Sequence, residues 1–282
     1  MKTLSKIGLM IFLAAGVFSF QSCSNVDENV NDDVVAKTSA TDYVSLLSAF
    51  NISTVEEATS GDVVSGDASE LKSSEVVDGC MTITVDPNED GSFWPRNWTI
   101  DFGDEGCECF CGITRRGKIH VSLSDWWRNK SSFREITFED YYFGENKLEG
   151  VKTILNNGKN DAGNLTFLRK LTAGKITYAD STSMTWECEK KSEMVQGGAT
   201  FKFSDDVWSV TGSGSGVNID GKNFKMTITT PLIYKNGCFY PVSGVVTIET
   251  DGEETKTIDY GNGECDNKIT VTTGDESVEI EL

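Results

Sequence analysis

Hydrophobic and polar positions follow three different patterns along the chain. An apolar stretch runs from Ile7 to Phe20, a polar stretch covers residues 24–78, and short apolar/polar alternation recurs between turn residues from residue 79 onward. Alternation with a period of two predicts half-buried β-strands, because successive side chains of a strand point to opposite faces of a sheet. The third region therefore predicts a β domain at residues 79–282.

The alternating segments predict strands at residues 133–143, 148–155, 165–171, 175–178, 184–189, 207–211, 224–230 and 245–250. Turns are predicted at Gly144-Glu145-Asn146 and at Asn156-Asn157-Gly158. Ser213-Gly214-Ser215-Gly216 is predicted to lie within a twisted or bulged strand. We expect an all-β fold with a single antiparallel β domain, built as a two-sheet sandwich or a partly closed barrel.

A pattern of seven identical residues occurs twice, always at an offset of 158 positions. The first copy contains Gly79-Cys80, Thr99-Ile100-Asp101-Phe102-Gly103 and Cys107; the second contains Gly237-Cys238, Thr257-Ile258-Asp259-Tyr260-Gly261 and Cys265. This predicts an internal duplication at the two ends of the domain. We expect the copies to pair as pseudo-symmetric halves around a central meander, each continuing into an alternating strand at residues 118–123 and 277–282.

Cys23 follows a leader with Lys2, Lys6, the apolar stretch and Ser22. A basic start, a short apolar region and a small residue before cysteine are typical of a lipoprotein signal peptide, and the stretch is too short to span a bilayer. We predict cleavage after residue 22, lipid attachment at Cys23, and an acidic tether at residues 23–78 with a short helix around residues 43–50. The alternative is an ordinary secretory leader and a soluble secreted or periplasmic protein.

The mature chain is strongly acidic. Removal of Lys2 and Lys6 leaves 23 basic and 44 acidic residues, a formal charge of −21. Nucleic-acid binding requires clustered Lys and Arg, so the composition argues against that function. Membrane contact is expected through the lipid anchor only.

The repeated segments resemble a family of uncharacterised Bacteroidota outer-membrane lipoproteins, over about residues 79–282. The resemblance is carried by the two repeats and by Tyr141-Tyr142, Glu149-Gly150, Asn156-Asn157-Gly158, Gly163-Asn164-Leu165 and Cys265-Asp266-Asn267-Lys268. It implies an outer-membrane lipoprotein with a β-rich domain and no assigned activity. Asp27-Glu28, soon after Cys23, resembles the surface-export signal of such lipoproteins, which implies exposure on the cell surface. The cysteines at 109, 111 and 188 depart from the family pattern.

The repeats place four cysteines at matched positions, and an exported protein is expected to form disulfides. Pairing within each copy gives Cys80–Cys107 and Cys238–Cys265; pairing between copies gives Cys80–Cys265 and Cys107–Cys238, and the spacing leaves both open. Cys107, Cys109 and Cys111 with His120 could instead form a zinc or redox site, but their spacing matches neither a C-x-x-C motif nor a zinc finger. We predict no metal and no cofactor.

Two further groups of residues are candidates for chemistry. Residues 86–91 contain the D-x-N-x-D-G opening of a calcium loop, but Asn97 replaces its bidentate Glu, so a β-turn explains the same residues. Asp101 and Asp259 occupy matched positions and could serve a glycan hydrolase, although pairing with Arg115, Arg116 or a backbone amide is the favoured role. His120 is expected to be a half-exposed strand residue.

Aromatic residues provide the strongest indication of binding. Trp126 and Trp127 lie in the polar segment Asp125 to Lys130, which is predicted to be a loop between strands, and flat rings beside polar groups can stack on sugars or contact a partner protein. We predict a surface-anchored, non-enzymatic module that binds a glycan or an envelope protein. An extracellular glycan hydrolase and a purely structural envelope component are the alternatives.

Overall fold

The computed structural model describes residues 74–77, 81–86, 92–108, 114–200, 203–238 and 240–282. The predicted signal peptide, Cys23, Cys80, the tether helix and most of the calcium-like loop lie outside these residues. Within them the sheet begins at Ser74, slightly before the predicted domain start at residue 79.

Nearly all regular structure is β-strand. The strands are β1 (Ser74–Val77), β2 (Met81–Asp86), β3 (Arg96–Asp101), β4 (Cys107–Glu108), β5 (Thr114–Leu123), β6 (Phe133–Phe143), β7 (Asn146–Lys159), β8 (Leu165–Thr177), β9 (Ser183–Gln196), β10 (Val207–Val217), β11 (Asn223–Lys235), β12 (Ser243–Thr250), β13 (Lys256–Asn262), β14 (Lys268–Thr273) and β15 (Glu276–Glu281). A short 3₁₀ turn at Phe203–Asp205 precedes β10. No described helix is long and apolar enough to cross a membrane.

The strands form one antiparallel meander. Fourteen strands follow one another along the sheet in chain order, and β4 pairs with β5 beside this path. The sheet is not closed into a barrel. The predicted all-β class and single antiparallel domain are confirmed, and the hydrogen-bonded strands form one continuous sheet. Short connections explain this order, because consecutive antiparallel strands pair directly across tight turns.

The predicted turn at residues 156–158 is instead a bulge within β7. The register shifts between Asn156 and Gly158, and the Asn156 side-chain oxygen accepts a hydrogen bond of 2.6 Å from the Gly158 amide. Gly158 has a positive φ of 83°. An Asn-Gly pair in this conformation can form a turn or a bulge, and here the strand continues for one more residue. The prediction was therefore wrong about where the strand ends.

A glycine stripe on β10 allows close approach of the neighbouring strand. Gly212, Gly214 and Gly216 lie opposite Lys190, Cys188 and Trp186 of β9. A Cβ atom at Gly216 would overlap the carbonyl oxygen of Thr185 and lie 2.7 Å from the Cα of Trp186. The register also shifts between Val210 and Ser213, which confirms the predicted bulged strand.

Two hydrophobic clusters lie along the sheet and meet near this glycine stripe. The first extends over β2 to β9 and includes Phe224 of β11; the second extends over β10 to β15. Buried residues that alternate with less buried positions supply both clusters, for example Ile119 and Val121 in the first and Val246 and Ile248 in the second. We call the face that carries these buried residues the inner face.

The repeated segments do not pair with each other. They contribute β3 and β13, which are separated along the sheet by the strands from β5 to β12. The expected pairing of the two copies is therefore wrong. Their following strands also differ, because β5 pairs directly with β3, whereas β15 pairs with β14 and not with β13. The insertion of β14 as an additional neighbour accounts for this difference.

Candidate functional site

Trp126 and Trp127 lie in the connection between β5 and β6. Asp125 fixes the start of this loop, since its carboxylate accepts hydrogen bonds from the Trp126 amide at 2.7 Å and from the Asn129 side chain at 2.9 Å. The Trp127 carbonyl accepts a hydrogen bond of 2.7 Å from the buried Asn156 side chain. These contacts order the loop, as expected for a short connection whose polar groups are satisfied by side chains.

The two tryptophans belong to a row of four rings, which we call the aromatic row: Trp126, Trp127, Phe167 and Trp208. Successive ring centroids are separated by 6.3, 5.9 and 5.6 Å. The three tryptophans are half-buried, and Phe167 is buried. Stacked and edge-on pairs at these separations stabilise one another beyond simple burial, so the row is a preformed aromatic surface.

Trp126 and Trp127 differ in how they are held. Trp127 packs against the first hydrophobic cluster and stacks on Phe167 with an interplanar angle of 30°. Trp126 lies at the end of the row, and its ring contact within the row is with Trp127. The two side chains are thus unequal candidates: Trp127 has a structural role, and Trp126 is the ring better placed to contact a ligand.

Arg128 joins the tryptophan loop to the connection between β9 and β10. Its guanidinium lies 4.6 Å from the Trp127 ring centroid and donates hydrogen bonds to the carbonyls of Gly198 and Thr200 at 3.4 and 3.3 Å. A guanidinium over an indole face is attracted by the negative face of the ring. The arginine therefore covers one side of Trp127 and fixes the two loops together.

Asp206 lies beside this connection and is almost completely buried, with one carboxylate oxygen that has no hydrogen-bond partner. Burial raises the pKa of Asp206, the charge of Arg128 opposes this shift, and the charge of Asp205 adds to it. Removal of a carboxylate from water disfavours its charged form. The end of the sheet that carries the aromatic row thus contains an acid whose charge is costly.

Asp101 and Asp259 have the same local structural role. The carboxylate of Asp101 accepts a hydrogen bond of 2.8 Å from the Gly103 amide, and that of Asp259 accepts one of 2.8 Å from the Gly261 amide. Lys118 lies 3.9 Å from Asp101. Of the two expected partners, an arginine or a backbone amide, the structure shows the backbone amide for both acids. Each acid thus holds the amide of a positive-φ glycine two residues later, at the end of β3 for Asp101 and within β13 for Asp259.

His120 is a half-exposed strand residue, as predicted, with 38% of its side chain accessible. One ring nitrogen lies 2.9 Å from a carboxylate oxygen of Glu139, and the other lies 3.1 Å from the Thr99 hydroxyl. Thr99 lies directly opposite His120 on β3, and Glu139 lies on β6 two residues from Thr137, the residue opposite His120. The ring contacts are therefore those of an exposed cross-strand polar group.

The cysteines show pairing within the second copy. Cys238 and Cys265 form a disulfide, so both pairings between the copies are wrong. Cys107 is also disulfide-bonded, and its pairing with Cys80 stays a prediction. Cys188 is free and half-buried, whereas Cys109 and Cys111 lie outside the described residues. Among the residues that the structure describes, no three acidic, histidine or cysteine side chains are arranged to hold a metal ion.

The sequence did not identify Phe167, Trp208 and Arg128 as neighbours of the tryptophan loop. Phe167 and Trp208 belong to β8 and β10, which are not adjacent but are separated by β9. Strand alternation gives the face on which each ring lies, but the contact across an intervening strand also requires the strand register. No protein-family model, curated protein or solved structure matches the chain, so the resemblance to Bacteroidota lipoproteins stays a prediction.

Proposed function

We propose that the protein is a lipid-anchored lipoprotein of the outer membrane, exposed on the cell surface, whose β domain binds a glycan without chemical turnover. The aromatic row is the observation that supports this proposal. It combines three half-buried tryptophans with the guanidinium of Arg128 on a hydrogen-bonded loop. Sugar rings present apolar C–H faces and polar hydroxyls, and an amphipathic aromatic surface of this kind suits both.

The glycan hydrolase is the weaker proposal. Its candidate acids, Asp101 and Asp259, both accept hydrogen bonds from backbone amides and belong to strands in different parts of the sheet. A glycosidase requires two carboxyl groups on either side of one glycosidic bond. These two acids therefore have a structural explanation and give no separate support for catalysis.

A glycan array tests the proposal with the mature chain, residues 23–282. We expect binding that is lost in Trp126→Ala and retained in Phe93→Ala, because Phe93 is an exposed ring outside the aromatic row. Each bound glycan is also incubated with the protein and examined for new reducing ends. Binding without cleavage supports the proposal, whereas cleavage favours the hydrolase. Absence of binding to every glycan, or equal loss in both variants, contradicts it.

A further inference from the structure

The inner face of the central strands carries a group of cationic side chains. Arg134 of β6, Lys152 of β7, Arg169 of β8 and Lys190 of β9 lie on this face, and we call them the inner cations. Arg134 and Arg169 are both paired with Ile154 on the strand between them, and Arg169 is paired directly with Lys190. Paired residues on neighbouring strands share a face, so the register places these side chains together.

Their position on the inner face follows from their neighbours. Lys152 lies opposite the buried residues Ile136 and Leu171. Lys190 lies two residues before the buried Ser192, on the same side of β9. Arg134 is buried, and the other three inner cations are half-buried.

The acids of the same strands lie on the opposite face. Strands β7, β8 and β9 contain four acidic residues, which are Glu149, Glu187, Glu189 and Glu193, and each alternates with inner-face residues. Glu149 and Glu189 pair with Lys175 and Lys170 at 3.9 and 2.8 Å. Glu187 accepts a hydrogen bond from the Ala173 amide, and Glu193 accepts two from asparagine side chains. In β7 to β9 the acids are thus confined to the outer face, where lysines also lie, and the inner face carries cations without acids.

The inner cations concentrate positive charge on one face of the sheet. Arg169 and Lys190 lie directly opposite each other on neighbouring strands, where like charges repel, and each of the four cations has another contact within the protein. A sheet that keeps several cations on one face is therefore suited to an anionic ligand.

The inner cations are continuous with the aromatic row. Phe167 lies two residues before Arg169 on the same face of β8, and the Arg169 guanidinium lies 6.0 Å from the ring centroid of Trp208. One surface therefore offers aromatic rings and, directly beside them, positive charge. Each inner cation also makes other contacts within the protein, so an anionic ligand would exchange with existing contacts and not enter an empty site.

We propose that the glycan bound by this surface is acidic, with carboxylate or sulfate groups that contact the inner cations while sugar rings stack on the aromatic row. This inference rests on the proposed glycan-binding function and adds the class of glycan. Guanidinium and ammonium groups form charge-assisted hydrogen bonds with carboxylates and sulfates, which are stronger than neutral hydrogen bonds. A neutral glycan could accept hydrogen bonds from the cations but would lack the attraction between opposite charges.

The experiment compares two double variants of the mature chain. Arg169→Gln/Lys190→Gln removes two inner cations from β8 and β9, and Lys170→Gln/Lys175→Gln removes two cations from the opposite face of β8. Binding to polygalacturonate, chondroitin sulfate and neutral dextran is measured at several salt concentrations. We expect the inner variant to bind the acidic polymers about tenfold more weakly or worse, with a reduced salt dependence, and the outer variant to stay close to the unchanged protein.

Several outcomes would overturn the inference. Equal loss in the inner and outer variants would show that net charge, not position, controls binding. Binding of dextran through Trp126 with no preference for acidic polymers would leave the proposed function standing and refute the acidic class, whereas no binding at all would refute both. Polyglutamate bound as tightly as the acidic glycans would identify an acidic polypeptide as the occupant. If circular dichroism shows that Arg169→Gln/Lys190→Gln does not fold, Lys190→Gln alone replaces it as the inner variant, and Lys170→Gln alone replaces the outer variant.

Discussion

Replacement of Trp127 by alanine should destabilise the protein far more than the same replacement of Trp126. Truncation of a fully buried aromatic side chain typically costs about 3–5 kcal/mol. Trp127 is half-buried but stacks on Phe167 at 5.9 Å and lies under the Arg128 guanidinium, so we expect a loss of about 2–3 kcal/mol in the free energy of unfolding. Trp126 lacks the packing against the first cluster, and we expect a loss of about 1 kcal/mol or less.

Urea denaturation followed by far-UV circular dichroism measures both losses without dependence on tryptophan fluorescence. Trp127→Phe is the control, because phenylalanine keeps an aromatic ring against Phe167 and should recover about half of the loss. The slope of the unfolding free energy against urea should be unchanged in all three variants. Equal losses for Trp126→Ala and Trp127→Ala would refute the assignment of different roles to the two rings.

Three further predictions concern other parts of the fold. Gly216→Ala should lower the free energy of unfolding by about 1–3 kcal/mol, because the Cβ atom of the alanine would overlap the neighbouring strand β9. Ser215→Ala, on the exposed side of β10, is the control and should have little effect in the same urea titration. Asp206→Asn should stabilise the protein at neutral pH. Because the pKa of Asp206 is raised in the folded state, ionisation of this carboxyl destabilises the fold above that pKa, and the cost disappears as the pH falls to the unfolded pKa of about 3.9. Urea titrations at several pH values should therefore show that the gain in unfolding free energy of Asp206→Asn becomes smaller toward acid. A gain that does not change with pH would contradict this prediction. Replacement of Cys238 and Cys265 by serine should lower the free energy of unfolding by about 3.5 kcal/mol, from the chain-entropy relation for a sequence separation of 27 residues. The variant should therefore unfold at a lower temperature than the oxidised protein. An unchanged thermal midpoint would show that the disulfide contributes nothing to stability.

Strand alternation predicted the middle of the fold well. The segment from Phe133 to Phe143 was predicted at its observed bounds, because its exposed and buried residues alternate and a turn follows it. Interruptions in the alternation were harder to interpret. At Asn156 and at Gly174 the chain forms bulges within long strands, and the residue types that favour a turn also favour a bulge, so local sequence alone could not separate the two.

The candidate site required the register of the sheet. Trp126 and Trp127 could be found as adjacent aromatics in a polar loop, but their contact with Phe167 and, through it, with Trp208 depends on how β8, β9 and β10 align. The inner cations illustrate the same limit. Lys190 lies just beyond the strand predicted at residues 184–189, and its pairing with Arg169 becomes visible only when β8 and β9 are placed side by side.

Hydrogen–deuterium exchange with and without bound polygalacturonate tests the location of the binding surface most directly. The account predicts slower exchange in the tryptophan loop at residues 124–132 and in β8 and β9, with no change in β13 to β15 at the far end of the sheet. Protection confined to β13 to β15, or no protection under saturating polymer, would contradict the claim that the aromatic row and the inner cations form the binding surface.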